Sequence, residues 1–193
     1  MSDMTLAFER TGSGPPLIIL HGLFGSSTNW GSIAHCLTKS YSVHRIDLRN
    51  HGASPWHDTM DYLAMADDVK QFIEQHQLEN PILLGHSMGG KVAMALAVRY
   101  PALVKALVVV DIAPVTTDTR HTGVVRALRN LNLAAVRSRR DAERVLSFDI
   151  PDASLRRFLL QNLSRRETGY VWRINLQALA DNMTMLAGFP VLP

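Results

Sequence analysis

The sequence predicts an α/β fold: a mostly parallel sheet with flanking helices, followed by a helical insertion. Three observations carry this reading. Up to Asp111, short uninterrupted apolar runs alternate with stretches of helical period. Those runs stop abruptly at turn-forming residues, as strands covered on both faces do. Beyond Asp111 the apolar runs disappear and helical patterns dominate. Strand, helix, strand in that order implies βαβ crossovers and a layered α/β architecture.

Residues 5–9 alternate and suit an edge strand. Residues 17–20 form a four-residue apolar run after Pro15 and Pro16 that stops at His21 and Gly22. A helix is expected over 29–38 and a weaker strand over 41–47. Tyr62, Met65, Val69, Phe72, Ile73 and His76 fall on one stripe at 3.6 spacing, which predicts an amphipathic helix. Residues 82–84 follow Pro81 and stop at Gly85, reading as a further strand. Val92, Leu96 and three alanines then make a small-residue helix ending at Tyr100, before Pro101. Residues 103–110 are the last strand of this half. In the second half, 124–133, 141–147, 155–163 and 176–186 read as helices, with a short strand or extended piece at 170–175.

Composition narrows the function classes. The 193 residues are 47% hydrophobic and 19% charged, an ordinary globular balance. The single cysteine, Cys36, excludes an internal disulfide framework and a cysteine-rich zinc site, and is expected to pack inside the 29–38 helix. No run approaches the ~18 consecutive apolar residues of a membrane-spanning helix. Asp3 and Glu9 argue against a secretory leader, so a cytoplasmic address is expected. Residues 1–111 carry 8 Lys and Arg against 10 Asp and Glu; residues 112–193 carry 12 arginines against 7 acids. Scattered arginines of this kind read as solvated helix faces, and no nucleic-acid motif accompanies them. No metal, nucleotide or flavin is implied.

The segment that carries chemistry is Gly85-His86-Ser87-Met88-Gly89. It matches the G-x-S-x-G elbow, with the strand before and the helix after that the motif requires. A serine on so sharp a turn stands clear of the sheet, and its glycine neighbours are small because the turns crowd there. The helix beginning at Met88 favours developing negative charge. His21-Gly22-Leu23-Phe24-Gly25 follows the first strong strand and can present a backbone N–H to the same charge. Leu23 is the expected donor, with Phe24 the adjacent alternative, and Met88 N–H supplies the second. His21, Phe24 and His86 are candidate substrate-contacting residues, with structural hydrogen bonding the competing role for the two histidines. The stretch from Asp47 to Ser54 holds an acid, an arginine and a histidine, and reads as a loop tied down by its own side chains.

Together HGLFGS at 21–26, DLRNHGAS at 47–54, GHSMGGK at 85–91 and DIAP at 111–114 resemble the α/β-hydrolase superfamily. Within it they are most similar to the YbfF-like bacterial esterases and the group of the mammalian α/β-hydrolase domain-containing protein 11. The resemblance implies serine ester hydrolysis through an acyl-enzyme on Ser87, with Asp111 as the triad acid. It implies three parts: residues 1–111 as the N-terminal part of the core, 112–187 as a helical cap, and 188–193 as the start of a return to the core. It also implies that the last core strands, their helices and the triad histidine are missing from this chain. Only His121 follows Asp111, at the start of the cap, where a base is not expected.

The reading is therefore a carboxylesterase or acyl thioesterase acting on a small acyl ester or thioester, with neither nucleic acid nor a membrane span as partner. Two alternatives stand beside it. One is a non-catalytic fragment that associates with a complementary C-terminal chain. The other is acyl transfer from the same serine to an alcohol or peroxide. The arginine-rich half permits an anionic leaving group such as coenzyme A.

Overall fold

The computed structural model describes residues 4–117 and 121–191. Its centre is a five-stranded sheet in the order β1-β3-β2-β4-β5. The strongest apolar run becomes its middle strand, β2 (Pro16–Leu20). β3 (Ser42–Ile46) and β4 (Ile82–His86) flank it in parallel, and β5 (Ala106–Val110) lies parallel beyond β4. β1 (Phe8–Thr11) closes the other side antiparallel to β3. That edge strand lies later than the alternation at 5–9 suggests. Met4 and Leu6 are buried ahead of it, and Ala7 is held by Ser54 and Asp47 instead.

The strand period divides the core into two layers. Ile18, Leu20 and Ile46 pack with α2 (Tyr62–Gln75) and α3 (Met88–Arg99), whereas Leu17, Ile19 and Val43 pack on Ala34 of α1 (Gly31–Leu37). α2 starts where Asp61 accepts a hydrogen bond from Ala64 N–H, an N-cap, and buries the foretold stripe from Tyr62 to Ile73; His76, expected on it, is exposed at the C-cap. Cys36 departs from expectation. It is exposed, because α1 is short and turns Ala34 alone fully inward.

β5 differs from its neighbours. Leu107, Val108 and Val110 are 37%, 45% and 37% exposed, although the strand is as apolar as β2.

The second half comprises α4 (His121–Asn130), α5 (Arg139–Leu146), α6 (Ala153–Leu159), α7 (Leu176–Asp181) and α8 (Met183–Ala187). It also contains an antiparallel hairpin, β6 (Leu163–Arg166) and β7 (Gly169–Trp172), which the sequence showed only as one extended piece. The helix expected to run through Leu163 stops at Leu159 and continues as a 3-10 turn, Leu160–Asn162. The helix expected over 176–186 is broken at Asn182, whose side chain reaches Asp58 O across the gap. One apolar cluster runs from the sheet into this segment, through Leu128, Leu159 and Leu179. Asparagines stitch the two together: Asn175 N–H and Nδ2 bond to Asn50, and Asn182 Oδ1 accepts from Met60 N–H. No described helix is long and apolar enough to cross a membrane. Residues 192–193, the end of the expected return to the core, lie outside the described residues.

Candidate active site

The loops leaving the carboxyl ends of the four parallel strands meet at one rim of the sheet, where ligands bind in this architecture. Each contains one non-glycine residue with positive φ: Phe24 (63°) after β2, Asn50 (66°) after β3, Ser87 (50°) after β4 and Asp111 (55°) after β5. Strained backbone of this kind persists only where surrounding structure enforces it.

Ser87 has φ 50° and ψ −117° and joins β4 directly to α3. Its N–H donates to Val110 O at 3.0 Å, which ties the turn to β5, and its carbonyl accepts from Gly90 and Lys91 N–H to start the helix. The motif's glycines are sterically required. A Cβ on Gly85 would come within 2.7 Å of Gly90 Cα, and one on Gly89 within 2.6 Å of His21 O. Met88 is the first residue of α3, so its N–H is one of the donors a helix leaves open.

The loop after β2 lies against this turn: a Cβ on Gly22 would meet Ser87 Cβ at 3.3 Å. Two histidines set its conformation. His21 Nδ1–H donates to Gly22 O at 2.8 Å, and its Nε2 accepts from Leu48 N–H at 3.0 Å. Gly25 N–H also donates to Gly22 O. In a trans peptide the N–H opposes the C=O, so holding Gly22 O fixes the direction of Leu23 N–H. His51 Nε2 accepts from Phe24 N–H at 3.3 Å, and His51 Nδ1–H donates to Arg49 O. Phe24 N–H is thus engaged, while Leu23 N–H and Met88 N–H have no hydrogen-bond partner among the described residues. Of the two adjacent candidates named from the sequence, Leu23 is the one whose N–H stays open.

Both histidines must be neutral to accept these bonds, and burial keeps them so. The His21 ring is pushed below its ordinary value by desolvation, and His51 is lowered to about 3 by desolvation and then by His21. The Asp47 carboxylate accepts from Ser27 and Ala53 N–H. Arg49 forms a buried bidentate pair with Asp68 and also donates to Thr59 O and Ala64 O. The 47–54 loop is a scaffold, built by the tie-downs its residue types suggested.

Ser87 opens onto a cavity of about 410 Å³, within the usual size of small-molecule sites. Trp30, Ile33, Leu155 and Phe158 make its apolar wall, and Phe24, His86 and His121 also line it. His21 reaches it from below, 1% exposed and with both ring nitrogens engaged. Asp111 is exposed at the end of β5, one residue past the Val110 that pairs with His86. His121 edges onto the Phe24 ring at 5.8 Å. A larger groove of about 600 Å³ runs along α2 beside Asp67, Lys70 and Glu74, away from Ser87. Met60, Met65, Met88 and Met183 are buried in the core cluster, and Met185 is exposed.

The sheet order, the strand-turn-helix at Ser87 and the converging loops define an α/β hydrolase. The family model of the alpha/beta hydrolase fold matches residues 15–128, and the chain belongs to that family. Its relatives carry esterase and lipase names. It is 40% identical to the sn-1-specific diacylglycerol lipase ABHD11 of Xenopus tropicalis, over 95% of this chain and 60% of that protein. It is 32% identical to Esterase YbfF of Escherichia coli, over 92% of this chain and 69% of that protein. Among solved structures it matches a marine microorganism esterase with TM-score 0.95 and 41% identity, covering 98% of this chain and 76% of the other. The chain spans about 60% of the length of the ABHD11 relatives it matches.

Proposed function

We propose that this chain carries the nucleophile and oxyanion half of a serine hydrolase acting on carboxylic esters or acyl thioesters. The observation that carries the reading is Ser87, held at strained backbone angles on the wall of an apolar cavity with the open N–H groups of Leu23 and Met88 beside it. The Ser87 hydroxyl loses its proton to a base as its oxygen bonds to the acyl carbon. The carbonyl electron pair moves onto oxygen, where the two N–H groups receive it. Collapse expels the alkoxide or thiolate, which takes the proton, and leaves the acyl-serine. Water repeats the sequence and releases the acid.

Asp111 is proposed as the acid that orients the base. The relatives' greater length is room for a base outside these 193 residues, on a continuation or a complementary chain; without one, Ser87 is a weak nucleophile. The segment 112–187 is proposed as a cap whose Leu155 and Phe158 roof the acyl site. The cytoplasm is the proposed compartment, consistent with a chain carrying one cysteine.

The test is hydrolysis of p-nitrophenyl acetate and butyrate by the full-length protein, with fluorophosphonate labelling read on the same samples. Both should be abolished by Ser87→Ala; equal rates for wild type and variant would refute the assignment. Labelling that appears only when a second chain is added selects the association reading. Ester products formed in the presence of an alcohol select acyl transfer.

A further inference from the structure

Phe24 is a large aromatic residue, 3% exposed, at φ 63°. Backbone of that kind is strained and must be enforced from outside. Enforcement comes from both sides of the residue. Its N–H is held by His51 from the scaffold loop, and its carbonyl accepts from Asn162 Nδ2 at 2.7 Å. Asn162 belongs to the cap, 138 positions along the chain, and is 6% exposed. Its Nδ2 also donates to Leu159 O at 3.2 Å, and its backbone carbonyl accepts from Arg173 N–H at 2.8 Å. Two carbonyl acceptors at one side-chain nitrogen fix which end of the amide faces the loop, because only NH₂ donates. The neighbouring residue, Gln161, accepts from Asn29 Nδ2 at 2.7 Å in an exposed bond that does not touch Phe24.

We propose that Asn162 is a positioning residue for the oxyanion hole. By holding the Phe24 carbonyl it keeps the left-handed turn in place, and with it the direction of Leu23 N–H toward the cavity. The inference rests on the Ser87 reading and deepens it: the cap becomes part of the oxyanion machinery as well as the roof. Removing the amide leaves the Phe24 carbonyl buried and unpaired, and the loop relaxes towards ordinary angles. Ground-state binding in the apolar cavity does not depend on Leu23 N–H; transition-state charge does. Loss of Asn162 therefore acts on kcat rather than KM.

The experiment compares wild type, Asn162→Asp, Asn162→Ser and Gln161→Ala in the full-length protein. Amide hydrogen exchange at Phe24, thermal midpoint, and kcat and KM for p-nitrophenyl butyrate are measured for each. Asn162→Asp opposes a carboxylate to the carbonyl, and Asn162→Ser is too short to reach it; if the first fails to fold, the second carries the test. Expected for the Asn162 variants are Phe24 exchange faster by about ten-fold, exchange in β2 and β4 unchanged, and kcat lower by about ten-fold with KM within about two-fold. Gln161→Ala should retain wild-type kcat. Unchanged Phe24 exchange, a change confined to KM, or an equal loss in Gln161→Ala overturns the proposal. If the wild type hydrolyses nothing, the Ser87 reading is what has failed, and Phe24 exchange alone decides whether Asn162 holds the loop.

Discussion

Replacing glycine by alanine in two helices of this protein should have opposite effects. Gly89 lies in the first turn of α3, and a Cβ there would come within 2.6 Å of His21 O, with the Leu20 carbonyl equally close. Ordinary van der Waals contact begins near 3.4 Å, so α3 must retreat from the central strand by about 1 Å. The obstacles are backbone atoms of β2 and its loop, which have no rotamer to change. Overpacking of this kind costs about 1–3 kcal/mol, against about 1 kcal/mol regained from helix propensity. The net loss of up to about 2 kcal/mol lowers Tm by up to a few degrees for a chain of this size. The same retreat carries Ser87 and Met88 away from Leu23, and a 1 Å misplacement costs about 100-fold in rate. Gly123 in α4 has nothing within 4 Å of its would-be Cβ. Gly123→Ala should therefore stabilise by about 0.5–1 kcal/mol and leave the rate alone. Urea denaturation gives the signs, and fluorophosphonate labelling rates give the activity. A Gly89→Ala protein as stable and as reactive as wild type, or a destabilised Gly123→Ala, would refute the steric argument.

Two further outcomes concern stability. His44 is 3% exposed, with its ring lowered to about 4 by burial and then by Arg10, and His51 is lowered to about 3. Unfolded, both titrate near 6.5, so between pH 6.5 and 4 the unfolded chain binds protons that the folded one refuses. Stability should be full above pH 6.5 and fall on acidification by up to about 1.4 kcal/mol per unit for each ring; urea midpoints from pH 7 to 4.5 measure this, and His44→Gln should flatten the slope. Arg49→Met leaves the Asp68 carboxylate, itself 3% exposed, without its cation and should cost about 3–5 kcal/mol. Calorimetry should show Arg49→Met/Asp68→Leu recovering a large part of that loss.

The sequence revealed the sheet because its parallel strands are continuous apolar runs, and it revealed the strand-turn-helix at Ser87 because the elbow confines glycine to fixed offsets. It was less informative where side chains work across long separations. Of the β6–β7 hairpin only the second strand left a trace in the sequence; β6 stayed hidden because Arg165 and Arg166 interrupt any strand-like alternation, and Gly169, at φ 125°, opens β7. Asn182 broke a helix whose period runs through it, because its side chain is drawn to Asp58 O. Nothing in the sequence showed that His51 takes the Phe24 N–H, the contact that distinguishes Phe24 from Leu23. Asn162 carried no signal at all, since nothing near it in sequence hints at a carbonyl 138 positions earlier.

The bare outer strand changes how one common assay should be interpreted. Leu107, Val108 and Val110 present apolar side chains to water in the fold of these 193 residues. Dyes such as anilinonaphthalene sulfonate brighten on surface of that kind, and their fluorescence is usually taken as a sign of a loosened, molten state. This protein should brighten them while its near-ultraviolet circular dichroism remains that of a rigid native core.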